Sequence, residues 1–195
     1  MRARMAIRVS NIEVELREVD LKHKPAAMLQ ASPKATVPIL VCPDKVIAES
    51  LDIMLWALQQ SDPHDWLKKE YLDEALSLIK YNDNLFKIHL DHYKYADRFP
   101  QKSQKEYRDK GEVFLQQLEV KLNLHNFILC AEPCLADIAV LPFIRQFAYV
   151  DIKWFEASPY VRLKQWLQHW LESKLFKSIM TKHPVWQDNQ QALIL

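Results

Sequence analysis

The chain has 195 residues, 26 basic and 25 acidic side chains for a formal net charge of +1, and 49% hydrophobic against 26% charged residues. This is the composition of a folded globular chain with room for one large domain or two modest ones. Its charge balance offers no electrostatic footprint for nucleic acid or an anionic membrane. The single glycine, Gly111, excludes P-loop and dinucleotide fingerprints, both of which need several glycines for the backbone to approach phosphates.

In chain order, Met1 to Val9 reads as helix without a start signal, and Glu13 to Val19 alternates in the manner of a half-buried strand. Lys24 to Leu29 is a short helix with Pro25 near its start. Val37 to Cys42 is an apolar strand, Val46 to Ala48 follows after a Pro43-Asp44 turn, and Ser50 opens a helix to about Gln60. The polar stretch Ser61-Asp62-Pro63-His64-Asp65 has the composition of a linker. Beyond it the spacing predicts helices over Trp66 to Phe99, Ser103 to Asn126, Cys134 to Tyr149, Pro159 to Leu171 and Lys174 to Met180. The third of these is apolar on most faces and is expected to be the central buried helix. The organisation is therefore an α/β domain over residues 1–61 and an all-helical domain over residues 66–195.

Cys42, Cys130 and Cys134 form no Cys-x-x-Cys pair and read as reduced, buried thiols, so no metal site is expected. No apolar run approaches the roughly 18 residues that span a bilayer, and the expectation is a cytoplasmic protein with no membrane partner.

Two stretches can carry chemistry. In Ala35-Thr36-Val37-Pro38-Ile39, a trans proline would suit an edge strand, whereas a cis Val37-Pro38 bond would turn the Val37 main chain outward toward an extended peptide. In Ala48-Glu49-Ser50-Leu51-Asp52, Ser50 reads as a helix N-cap. The same helix start also suits a ligand carboxylate, and Glu49 beside it a ligand ammonium. An acid and a hydroxyl at a strand-to-helix turn match an α-amino acid head group.

Together, Ser32 to Leu40 and Ile47 to Ile53 resemble the glutathione-site half of glutathione transferases. The resemblance implies a thioredoxin-like N-terminal domain and a helical C-terminal bundle. It implies that Val37, preceding a cis Pro38, pairs its backbone with the cysteinyl part of glutathione, that Glu49 and Ser50 hold the γ-glutamyl head group, and that Lys34 meets the glycyl carboxylate. Glutathione would be the substrate, with an apolar electrophile or a mixed disulfide as its partner in the interdomain cleft. Family members are usually homodimers through the helices after Ser50 and Trp66. Pro133-Cys134-Leu135-Ala136-Asp137-Ile138-Ala139 resembles the family's structural capping motif, with Cys134 where Ser or Thr is usual. A thiol accepts weakly, so a poorer cap is expected. Leu141 to Ala148 further resembles bacterial members.

Asn82, Phe86, His89 and Tyr93 fall on one helical face. The resemblance places that face at the co-substrate cleft; as a bare pattern it is equally an aromatic stripe packed between helices.

The resemblance also implies a strand and a loop with a catalytic Cys, Ser or Tyr ahead of the first helix. Met1 to Ala6 looks like the inside of that helix, so no catalytic residue is assigned, and Cys42, Cys130 and Cys134 stand in the wrong places to substitute. The expectation is a thioredoxin-like domain incomplete at its N-terminus. Either the chain continues upstream, which would restore the interior strand, or it is a degenerate member. If the residue ahead of Met1 is Cys, thiol transfer is favoured over conjugation, because a Cys forms a mixed disulfide with glutathione. The alternative is a non-catalytic binding module on the same fold, as in the stringent starvation protein type of adaptor. The intact Glu49-Ser50 pair argues against that, since an adaptor has no need of a γ-glutamyl site.

Overall fold

Residues Arg2–Val9 form helix α1, whose Met5 and Ala6 are fully buried against Ser50–Gln60, helix α3, and Lys174–Ile179, helix α10. This computed structural model describes residues 1–187 and 190–195. They divide into two units, Met1–His64 with Lys174–Leu195, and Asp65–Ser173. The divisions fall between His64 and Asp65 and between Ser173 and Lys174.

In the first unit, α2 (Ala26–Ala31) precedes a small antiparallel hairpin of β1 (Leu40–Val41) and β2 (Val46–Ile47). Its register pairs Leu40 with Ile47 and Val41 with Val46, and the Cys42 N–H donates to the Lys45 carbonyl at 2.8 Å to close the turn. Ile53, Met54, Ala57 and Leu58 form the buried face of α3, spaced as one apolar helical stripe. The strand expected over Glu13 to Val19 keeps its alternation, with Glu13, Glu15 and Arg17 exposed and Val14 and Leu16 half-buried. It is not part of the hairpin's sheet. Its partner is the C-terminal end of the chain. The Leu16 N–H donates to the Leu193 carbonyl at 2.7 Å, the Leu195 N–H to Val14 at 3.0 Å and the Trp186 N–H to Glu18 at 2.8 Å. The Arg17 guanidinium lies 4.5 Å over the Trp186 ring. Only single bridged pairs result, because one short extended partner does not build a ladder.

The second unit is helical: α4 (Leu72–Tyr81), a π-helical turn (Asn82–Phe86), α5 (Lys87–Lys94), a 3-10 turn (Ala96–Arg98), α6 (Gln104–Leu124), α7 (Leu135–Ala148), α8 (Ile152–Ala157) and α9 (Val161–Glu172). The helix expected from Trp66 begins only at Leu72. Trp66 is buried and its carbonyl accepts from the Leu135 N–H at 2.9 Å, so it anchors the start of α7 instead. Ser103 caps α6 in a reciprocal box: its Oγ accepts from the Glu106 N–H at 3.2 Å, and its own N–H donates to Glu106 Oε2 at 2.8 Å. Helix α8 went unforeseen; Asp151 starts it by accepting from the Trp154 N–H at 3.0 Å.

Helix α7 is the central element, with Leu135 to Leu141 all buried. Its cap is a reciprocal box between Cys134 and Asp137. Asp137 Oδ1 accepts from the Ile128 N–H at 3.0 Å and Trp166 Nε1 at 2.8 Å, and Oδ2 from the Cys134 N–H at 3.0 Å and Cys134 Sγ at 3.3 Å. Burial pushes the Asp137 carboxyl above the usual carboxylate range, against these donors, which pull it down. The thiol donates to Asp137 while it also faces the Asp137 N–H in a reciprocal box. Gly111 on α6 meets α7 closely: a Cβ at that position would stand 2.3 Å from Phe147 Cε2. The sole glycine is thus a packing residue.

Candidate functional site

Three local features assemble the candidate site of the first unit. The first is the turn after α2. Ser32 is buried, the Ala35 N–H donates to the Ser32 carbonyl at 2.9 Å, and Ala35 lies in the left-handed region at φ 53°. An L-residue there is strained, and the strained turn presents Lys34 to solvent. The second is the Val37-Pro38 bond, which is cis, the alternative that suits an extended peptide. Val37 is exposed and no backbone partner for it occurs among the described residues. The third is the entry to α3. Glu49 takes the cap position with extended backbone, φ −107° and ψ 138°, its carbonyl accepting from the Ile53 N–H at 3.0 Å.

This exchanges the expected roles at the helix start. Ser50 is the first helical residue, and no side chain caps α3. The orphan N–H groups of the first turn therefore lack an internal acceptor from the cap side chain, the condition under which a helix start accepts an anion. The hairpin register brings these features together. With Leu40 opposite Ile47, Pro38 and Glu49 each lie two residues beyond that pair, on the two chains leaving the same end of the hairpin. An extended main chain beside Val37 thereby runs toward a carboxylate and an open helix start.

Lys34 stands beside Glu49 at this end of the hairpin. Its Nζ lies 3.6 Å from Glu49 Oε1, and the two side chains are 69% and 64% exposed. A screened surface pair of this kind contributes about 0–1 kcal/mol, so it yields readily to a ligand.

In the helical unit, Asn82, Phe86 and Tyr93 are all buried, while His89 is half-buried. Phe86 packs on Phe114 at 4.8 Å and on Phe147 at 5.4 Å, and Tyr93 on Phe147 at 4.8 Å between ring centroids. Phe86 and Tyr93 thus pack in the bundle's aromatic core, and the buried Asn82 amide donates to Asp83 Oδ1 at 2.8 Å. The wide turn at Asn82–Phe86 adds a residue to the helical phase, which simple i, i+4 spacing does not foresee. His89 Nδ1 is buried without a hydrogen bond, and burial lowers its pKa below the ordinary imidazole value, with Lys110 and His92 adding to the effect.

A polar cluster that the sequence did not single out lies beside Tyr93. The Arg108 guanidinium stacks 4.4 Å over Trp154, its Nε stands 3.7 Å from Glu112 Oε1, and the Tyr160 hydroxyl donates to Glu112 Oε2 at 2.6 Å. Burial pushes the Tyr160 phenol up to about 12 and raises that of Tyr93, against the pull of Arg108. The i, i+4 spacing of Arg108 and Glu112 was the only available signal. Burial raises the thiol pKa values of Cys130 and Cys134, so neither carries the thiolate that a nucleophile needs.

Residues 1–65 match the family described as glutathione S-transferase, N-terminal domain. No curated protein matches the chain. Solved structures do. Glutathione transferase F2 from Populus trichocarpa superposes with a TM-score of 0.77 at 16% identity, covering 92% of this chain and 91% of that one. Glutathione transferase Omega 3C from Trametes versicolor gives 0.76 at 17% identity, covering 94% and 84%. A glutathione S-transferase I bound with lactoylglutathione gives 0.74 at 19% identity, covering 91% of each chain. At such identities the likeness carries the fold: a thioredoxin-like unit with a small sheet, followed by a helical unit.

Proposed function

From a first third that belongs to the glutathione S-transferase N-terminal domains, in a chain with the glutathione-transferase fold, we propose that this protein binds glutathione at the hairpin end of its first unit. The tripeptide lies extended, its cysteinyl main chain paired with the Val37 backbone ahead of the cis Pro38. Its γ-glutamyl ammonium meets Glu49, and its α-carboxylate meets Ser50 and the uncapped start of α3. The observation that carries this reading is the conjunction at one hairpin end of a cis Val37-Pro38 bond, an exposed Glu49 and an uncapped helix start. The lactoylglutathione bound to a structural neighbour supports the ligand class.

Glutathione is the co-reactant, passed to an apolar electrophile or exchanged with a mixed disulfide. The site's own residues bind and orient it. None of the residues assigned to the site activates its thiol, so the reaction step is not assigned to a side chain of this chain. Of the four residues considered for the co-substrate, His89 is the one with partial solvent access, and contact in the helical unit falls to it. The protein works as a cytoplasmic homodimer, which light scattering checks by a single species at twice the chain mass.

Calorimetric titration with glutathione tests the reading. The expected outcome is saturable binding that Glu49→Ala weakens about tenfold, the order of one charge-assisted contact, with the unfolding midpoint unchanged. Absence of binding to the wild-type chain would overturn it.

A further inference from the structure

The Lys34–Glu49 pair raises a question about which end of the ligand Lys34 serves. Lys34 Nζ stands 3.6 Å from Glu49 Oε1, at the carboxylate that takes the ligand's ammonium in the reading above. The backbone beneath Lys34 is held there by the Ser32–Ala35 turn, through the buried Ser32, the 2.9 Å hydrogen bond and the left-handed Ala35. An extended tripeptide separates its two terminal carboxylates by about 10 Å. A lysine resting on Glu49 therefore lies at the γ-glutamyl end and far from the glycyl carboxylate.

We propose that Lys34 reads the γ-glutamyl head group: the ligand's ammonium and α-carboxylate insert between Glu49 and Lys34, and the ion pair of the empty site opens into two matched contacts. The proposal rests on the glutathione reading and sets the γ-glutamyl end against the glycyl carboxylate as the partner of Lys34. In the empty site the lysine ammonium stands on the side of Glu49 where the ligand ammonium will. On binding, the ligand ammonium replaces Lys34 at Glu49, and Lys34 turns to the carboxylate on the same ligand carbon. That carboxylate also faces Ser50 and the uncapped start of α3. One exposed ion pair is exchanged for two across the ligand, and both charges of the head group are matched. Such a site selects for a head group carrying both charges on one carbon, and is indifferent to the charge at the glycyl end.

The test compares two ligands, glutathione and its glycyl monoethyl ester, which neutralises the glycyl carboxylate alone, against the wild type and Lys34→Gln by calorimetry. Lys34 is exposed, and circular dichroism verifies that the variant folds. The expected result is a loss of about fivefold in affinity on Lys34→Gln, of the same size for both ligands. A loss seen with glutathione and absent with the ester would place Lys34 on the glycyl carboxylate and overturn the proposal. Unchanged affinity for both ligands would overturn it, since Lys34 would then contact neither end. So would tighter binding of both, since Lys34 would then act only as a competitor for Glu49. A wild-type chain that binds neither ligand would instead overturn the glutathione reading itself, which keeps the two failures apart.

Discussion

The first unit holds its candidate site in main-chain geometry, whereas the helical unit holds its distinctive residues by burial. Lys34, Val37 and Glu49 are exposed and make few side-chain contacts. What fixes them is a turn, a cis bond, a hairpin register and a helix start. Asp137, Gly111 and Tyr93 are enclosed by neighbours that leave no room for change. The difference teaches where substitutions act: side-chain changes in the first set alter recognition at nearly constant stability, and those in the second alter stability first.

Asp137→Ala breaks the comparison most severely. It leaves the Ile128 and Cys134 N–H groups and the Trp166 indole buried without their acceptor. A loss of about 3–5 kcal/mol is expected in urea unfolding. Gly111→Ala comes next. The gain in helix propensity of about 1 kcal/mol is outweighed by a Cβ set 2.3 Å from the Phe147 ring. The net expectation is a loss of about 1–2 kcal/mol, read as a lower Tm. Neither change touches the residues proposed to contact glutathione, so binding to the remaining folded protein is expected to persist.

Smaller effects sharpen the distinction. Ala35→Gly relieves the left-handed strain at φ 53°, offset in part by the freer unfolded chain. A gain of about 0.5 kcal/mol is expected, with glutathione affinity changed less than twofold. The smallest effect is a pH dependence. His89 has a folded pKa below its ordinary value of 6.5, so below that value the unfolded chain takes up a proton that the native one refuses. Stability attributable to His89 is therefore full above about pH 6.5 and declines as pH falls through the region beneath it. Urea unfolding of His89→Gln between pH 7 and 5 is expected to show a shallower decline than the wild type.

Much of the fold was legible because burial leaves a period in the sequence. The helix read from Ser50 to Gln60 is α3, whose buried face is Ile53, Met54, Ala57 and Leu58, and the apolar run after Cys134 located the central α7. The alternation of Glu13 to Val19 was legible too, but its partner was not, because pairing with Leu193 and Leu195 depends on a contact across nearly the whole chain. The π-helical turn at Asn82–Phe86 escaped for a different reason: an added residue leaves no mark in an i, i+4 pattern that stays apolar on both sides. In the site, the identity of Glu49 and Ser50 could be read, but not which of them occupies the cap position. That choice is made by backbone angles a single residue apart. The position of Lys34 hinged on a left-handed alanine, a conformation for which alanine gives no signal.

The pairing of the C-terminal residues with Val14 to Glu18 also bears on synthesis. Residues 65–173 are complete in one continuous stretch, whereas the first unit draws on residues 174–195. On the ribosome residues 1–64 thus wait for residues 174–195, which emerge after the whole helical unit. The order of completion runs opposite to the order of emergence. Its closing contacts join positions far apart along the chain, the kind that form slowly because the intervening loop must first be ordered.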